Sequence, residues 1–70
     1  MTIDMVKALV LQNKDVLRSF RFKGTRNQVD EFSGVITDVY PAIFIIKLVD
    51  SKVRSFSYSD LLVENLEIID

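Results

Sequence analysis

The pattern of hydrophobic and polar positions is most distinctive in the segment Tyr40-Pro41-Ala42-Ile43-Phe44-Ile45-Ile46-Lys47-Leu48. A strand alternates its side chains between two faces, so a sheet with one wet side has polar residues at every second position. This segment is instead apolar on both faces until Lys47. We therefore expect a curled or closed sheet whose outer side is also covered, either by another part of the chain or by a second copy.

Residues 2–13 have the pattern of a helix that is apolar around most of its circumference. Thr2 is a suitable N-cap, Asp4 suits the first turn, and Asn13 can end the helix. Apolar positions at helical spacing are widened by further apolar residues, which gives the set Ile3, Met5, Val6, Ala8, Leu9, Val10 and Leu11. Such a helix is expected to be buried along much of its girth, against the sheet or against a second copy.

The rest of the chain reads as short strands separated by turn residues, and the strands are predicted at about 16–23, 29–40, 42–49, 52–57 and 63–69. Gly34 falls inside the second strand, where glycine often marks a bend or bulge. Pro41 marks one turn and Asp50-Ser51 another. Ser59 is placed to cap a single helical turn over residues 59–62.

This order of elements predicts a mainly β protein with one N-terminal helix. We expect a single domain over residues 1–70, with the helix at 2–13 and a small five-stranded SH3-like or Sm-like barrel over 16–69. The period-two alternation predicts a buried set made of Phe20, Phe22, Phe32, Phe44, Ile46 and Leu48.

Composition narrows the chemistry that the chain can perform. Its 70 residues contain neither cysteine nor histidine, which excludes disulfides, thiolate metal sites, and the usual general base near neutral pH. Ser55, Ser57 and Ser59 have no such base to activate them. We therefore expect no catalytic site, no metal and no cofactor. The first residues include Asp4 and no cationic start, so no signal peptide is predicted. The absence of cysteine fits a reducing cytoplasm.

Charge is nearly balanced overall but segregated along the chain. The net charge is -1, from 9 basic and 10 acidic residues. Bases dominate residues 14–26, and acids dominate residues 60–70. One candidate partner-binding surface is therefore a cationic patch formed by Arg21, Lys23 and Arg26, with Arg18 and Arg54 as further members. Phe20 and Phe22 alternate with two of these bases, a pattern that single-strand nucleic-acid binders also have. The strand period places the rings on the opposite face, which favours a core role for the rings and a solvated face for the bases.

Tyr40 and Tyr58 are the remaining candidates for contact with a partner. Tyrosine provides a large contact area at a low entropic cost. The alternative is that each ring covers one end of the sheet and that its hydroxyl donates to a backbone carbonyl. The sequence favours this alternative without excluding the first.

Three separated motifs resemble those of the Veg family of Gram-positive bacteria. They are Gly34-Val35-Ile36, the Tyr40-Pro41-x-x-Phe44 strand, and Arg54-Ser55-Phe56-Ser57-Tyr58 followed by Asp60-Leu61-Leu62. The resemblance covers residues 24–69. It implies a cytosolic protein without enzymatic activity that regulates biofilm formation by antagonising a transcriptional repressor through protein–protein contact.

Two hypotheses for function follow. The first is a non-enzymatic regulatory module, similar to Veg, that binds another protein and forms a homodimer through its N-terminal helix. The second is a small SH3-like or Sm-like barrel that binds RNA or DNA through the basic segment. Fold analogy alone does not decide between them.

Overall fold

The helices and strands follow one another in the predicted order. A computed structural model describes residues 2–24 and 27–69. Their elements are α1 (Ile3–Gln12), β1 (Leu17–Lys23), β2 (Val29–Val39), β3 (Ile43–Leu48), β4 (Val53–Ser57), α2 (Tyr58–Leu62) and β5 (Leu66–Ile68). The mainly β class with an N-terminal helix is thus confirmed.

The five strands form one antiparallel sheet in the order β4-β3-β2-β1-β5. No ladder joins β4 to β5 in the part of the chain that the structure describes, so the sheet is open along this edge and the predicted barrel is not confirmed. The sheet is nevertheless strongly curled. A flat sheet would hold β1 and β4 about 14 Å apart, yet the rings of Phe22 and Phe56 have centroids 5.3 Å apart.

The core lies on the concave side of this curl, which we call the inner face. It is built from the residues Val6, Val10, Phe20, Ile36, Phe44, Ile46, Phe56, Tyr58, Leu61 and Leu66. Of the predicted buried set, Phe20, Phe44 and Ile46 are confirmed. Phe22, Phe32 and Leu48 are only half-buried. The prediction that these three side chains are buried was therefore wrong. The rings of Phe22 and Phe32 pack against the core but remain partly exposed.

Helix α1 is capped as its sequence predicts. The Thr2 hydroxyl accepts a hydrogen bond from the Met5 backbone N–H at 3.2 Å, and Asn13 is the C-cap. The Asn13 side chain donates to the Leu9 carbonyl at 2.8 Å and accepts from Arg18 Nε at 2.9 Å. These bonds fix where the helix ends and how the chain enters β1.

The helix buries a narrower stripe than expected. Val6 and Val10 are fully buried, whereas Met5 and Leu11 are 57% and 58% exposed. The helix packs mainly against α2 and β2, and its buried residues join the inner-face core. The outer face of β3 is left with Ile43 exposed and Ile45 half-buried, so the expected cover on that side is not supplied by α1.

The irregularity in β2 lies at Thr37 and not at Gly34. The pairing of β2 with β3 shifts register between Ile36 and Asp38, while Gly34 lies in a regular part of the ladder. Gly34 is needed for close packing instead. A Cβ atom at this position would lie 2.7 Å from the Lys47 carbonyl oxygen and 2.8 Å from Ile46 Cγ2.

The short helix α2 is longer than predicted and has a different cap. Ser57, and not Ser59, is the N-cap. Its hydroxyl accepts from the Asp60 N–H at 3.3 Å, and the Asp60 carboxylate accepts from the Ser57 N–H at 3.1 Å. This reciprocal arrangement is a capping box. Since Glu64 then adopts a left-handed φ of 64°, the chain turns there and β5 begins only at Leu66.

Gly34→Ala is expected to lower the free energy of unfolding by about 1–3 kcal/mol, because the added methyl group forces β2 and β3 apart. Urea denaturation followed by circular dichroism measures this change. Gly24→Ala is the matched control, since among the described residues its Cβ would have no neighbour closer than 3.7 Å. Equal stabilities for the two variants would contradict the close approach at Gly34.

Candidate partner-binding surface

Two members of the predicted cationic patch are held in ion pairs on the outer face. Arg21 Nε lies 3.2 Å from Glu31 Oε2, and Lys23 Nζ lies 2.9 Å from Glu67 Oε1. The hydrogen bond from Lys23, its charge and the charge of Arg21 together hold the pKa of Glu67 below its ordinary value. These pairs neutralise much of the local charge that a nucleic acid would require.

The pairing of strands explains why charges that are segregated in sequence meet in space. Arg21 is directly opposite Glu31 on one neighbouring strand and opposite Glu67 on the other. β1 carries the bases, and its partner β5 comes from the acidic end of the chain. Arg26, the third predicted member of the patch, lies outside the described residues.

The two tyrosines have different environments. Tyr58 is 3% exposed, and its hydroxyl donates to the Tyr40 backbone carbonyl at 2.6 Å. Burial raises the pKa of the Tyr58 phenol. Lys7 Nζ lies 5.5 Å from the centroid of the same ring. Tyr58 therefore links the β2–β3 turn to α2, whereas Tyr40 is 50% exposed and accessible to a partner.

Arg54 lies over three aromatic rings of the inner face. Its guanidinium carbon lies 4.8, 5.1 and 5.5 Å from the ring centroids of Phe32, Phe56 and Phe22. Cation–π contacts of this kind stabilise by about 0.5–1 kcal/mol each at exposed sites. Within residues 2–24 and 27–69, no carboxylate lies within 4.0 Å of this side chain. Arg54 is thus a half-buried cation, oriented by three rings, whose donors face no described acid.

The strand that carries Arg54 also has a free edge. Leu48 N–H donates to the Lys52 carbonyl at 2.7 Å, so the alternation of an antiparallel ladder turns the main-chain groups of Arg54 and Phe56 toward β3. The N–H and C=O groups of Val53 and Ser55 then point to the open edge. The Ser57 N–H is bound by Asp60. We call Arg54, its three rings and this edge the β4 surface.

A separate hollow lies between the two helices and the β1–β5 pair. It has a volume of about 440 Å³ and is lined by Leu9, Asn13, Arg18, Leu61, Glu64, Leu66, Glu67 and Ile68. Arg18 is bonded to Asn13 in its wall. No three potential metal-ligating side chains converge in the described residues. Neither helix of the described chain has the length and hydropathy that spanning a bilayer requires.

The family model for the biofilm formation stimulator Veg matches residues 2–69. This chain therefore belongs to the Veg family, and the match extends the resemblance of the three motifs to include helix α1. Membership indicates a role related to biofilm formation. No curated protein matches the chain.

The sequence predicts Arg54 in a solvated patch, whereas the structure places it among three aromatic rings. One signal was available, because Arg54 and Phe56 are two residues apart and so share a face of their strand. The rings of Phe22 and Phe32 come from other strands and meet Arg54 only because the sheet curls. The free edge of β4 also depends on the strand order, which no local motif reveals.

Tyr58→Phe is expected to lower the free energy of unfolding by about 1 kcal/mol, since it removes one hydrogen bond. Because the phenol pKa is raised in the folded state, the folded chain holds this proton more tightly than the unfolded chain. The resulting stability is complete below the unfolded pKa of about 10 and is lost as pH rises through the raised value. Urea denaturation at neutral and alkaline pH measures both effects.

Tyr40→Phe is the control, since the Tyr40 group that accepts the bond is its backbone carbonyl. It should leave stability at neutral pH nearly unchanged. A Tyr58→Phe variant as stable as the parent would show that the bond to Tyr40 contributes nothing.

Proposed function

We propose that this chain is a non-enzymatic regulator that acts in the cytoplasm by binding another protein, a transcriptional repressor of biofilm genes. Family membership supports the biofilm-related role. The β4 surface is the observation that carries the proposed mechanism, since it combines an oriented cation with free main-chain groups. We also propose that the sheet is related to the small SH3-like and Sm-like barrels, because it has their order of four sequential strands, a helical turn and a last strand.

Binding occurs by addition of an extended segment of the repressor to β4. The main-chain groups of Val53 and Ser55 pair with that segment, as in other complexes in which a peptide extends a sheet. The partner residue opposite Arg54 projects on the same face as Arg54, since directly opposed residues in a ladder share a face. An acidic side chain at that position accepts hydrogen bonds from the guanidinium, which gives the contact its specificity.

The nucleic-acid hypothesis receives less support from the geometry. Arg21 and Lys23 each have a carboxylate within 3.2 Å, and the half-buried rings of Phe22 and Phe32 lie on the inner face against Arg54. A strand of RNA or DNA would have to displace Glu31 and Glu67 before its phosphates could bind these bases.

The proposed role of Arg54 in binding the repressor is tested by affinity capture. The purified chain is used to capture the repressor from a nuclease-treated lysate of the source organism. Arg54→Glu is expected to lose the captured repressor, because it opposes the acidic partner residue and removes the cation–π contacts. The captured repressor is then purified, and its binding to operator DNA is measured by fluorescence anisotropy with and without the chain. The parent chain should weaken operator binding, and Arg54→Glu should not.

Lys47→Glu is the matched control, since it makes the same charge change on an exposed outer-face position of the adjacent strand. It should behave like the parent. Equal losses in both variants would mean that net charge, and not the β4 surface, controls binding. Operator binding unaffected by the parent chain would refute the proposed function itself.

Binding to nucleic acid is expected to be weaker than micromolar near physiological salt, because the two ion pairs oppose it. Anisotropy titrations with short single- and double-stranded RNA and DNA measure this affinity. The double variant Glu31→Gln/Glu67→Gln frees Arg21 and Lys23 and should raise it. Submicromolar binding by the parent chain would make the nucleic-acid hypothesis the better one.

A further inference from the structure

The outward side of helix α1 has more apolar surface than a solvated helix requires. Its exposed positions are Asp4, Met5, Ala8, Leu11 and Gln12, with Ile3 at the margin. Only Asp4 carries a charge, while Met5 and Leu11 are each more than half exposed. This side lies opposite the stripe of Val6 and Val10 that joins the core. We call these five positions the α1 face.

The α1 face is symmetric about Ala8. Met5 and Leu11 are three residues before and after Ala8, and Asp4 and Gln12 are four residues before and after it. Residues separated by three and four positions are neighbours on a helix surface. Ala8 is therefore the small centre of an apolar row, and one acid and one amide stand at opposite ends of the other row.

We propose that the α1 face binds a second copy of this chain, with the two helices crossing antiparallel on a two-fold axis at Ala8. An isologous contact requires a surface that is complementary to itself. The most common helix crossing places the i, i+4 rows of the two helices parallel at about 50°. In this arrangement Asp4 of one copy lies beside Gln12 of the other, so its carboxylate accepts from the amide N–H groups.

The apolar side chains are matched by the same axis. Met5 meets Met5 of the second copy, and Leu11 meets Leu11 of the second copy. The small side chain of Ala8 lets the helices approach closely. A hollow of about 270 Å³ beside it, lined by Met5, Ala8, Leu9 and Gln12, is large enough to receive the Met5 side chain of the second copy. No two like charges of the α1 face oppose each other.

The size of this contact sets its strength. A helix of 10 residues buries less area than the ~1,200–2,000 Å² of stable interfaces. The dimer is therefore a reversible one that forms at micromolar concentrations and above. It leaves the β4 surface free, because α1 packs mainly against α2 and β2, so the dimer is independent of the proposed function.

Two experiments test the proposal. Sedimentation equilibrium is measured at protein concentrations of about 10 to 500 µM, because so small a contact is expected to be weak. The data should fit a monomer–dimer equilibrium. Ala8→Glu places two carboxylates on the axis and should raise the dimer dissociation constant by at least about 100-fold. Ala8→Ser is the control and should dimerise like the parent. Circular dichroism verifies that each variant is folded.

The second experiment uses the absence of cysteine from the sequence. Ala8→Cys brings two thiols together at the axis. With oxidised glutathione as the oxidant, this variant should form a disulfide-linked dimer at least about tenfold faster than Ser55→Cys, an exposed position on β4. A parent chain that stays monomeric throughout the concentration range would overturn the proposal. So would a dimer that persists in Ala8→Glu or that cross-links no faster through residue 8 than through residue 55.

Discussion

The contact between Phe22 and Phe56 is the constraint on which the rest of the structure depends. These rings join the first strand to the fourth across two intervening strands. No ladder joins β4 to β5 in the described residues, so side chains complete the enclosure that the backbone begins. Once the sheet is curled in this way, one interior can hold the rings of four strands and the two buried valines of α1.

The same curl determines which polar groups remain available for function. Arg54 lies over three rings only because three strands bend toward one another. The edge of β4 stays open because closure occurs through side chains and not through a ladder with β5. The curl therefore places the Arg54 cation beside the free edge of β4. On the outer face, by contrast, Arg21 and Lys23 are each held by a carboxylate.

Properties with a local origin were predictable from the sequence. The period of two identified Phe20, Phe44 and Ile46 as core, and Thr2 and Asn13 were recognised as the ends of a helix because capping depends on neighbouring residues. The cap of α2 was missed although its signal was local. Ser57-Tyr58-Ser59-Asp60 has the spacing of a capping box, with aspartate in place of the usual glutamate.

Properties that depend on strand order could not be predicted in this way. Nothing in residues 14–26 indicates that Glu67 will lie beside Lys23, because that contact requires β5 to pair with β1. The register shift at Thr37 likewise has no signature in its own segment, whereas Gly34, the residue that looked irregular, lies in a regular ladder. Local sequence determined which face each residue occupies, and long-range pairing determined its neighbours.

The pairing of β1 with β5 also has a consequence for the kinetics of folding. Every other ladder of the described sheet joins strands that are consecutive in the chain, whereas β1 and β5 are separated by all the remaining strands. Closing this long loop costs more entropy than closing a hairpin, so contacts of this kind form slowly. A chain in which β5 has not yet docked exposes one edge of β1, and an unpaired edge can pair with another chain. Docking of β5 therefore protects the sheet from association through β1.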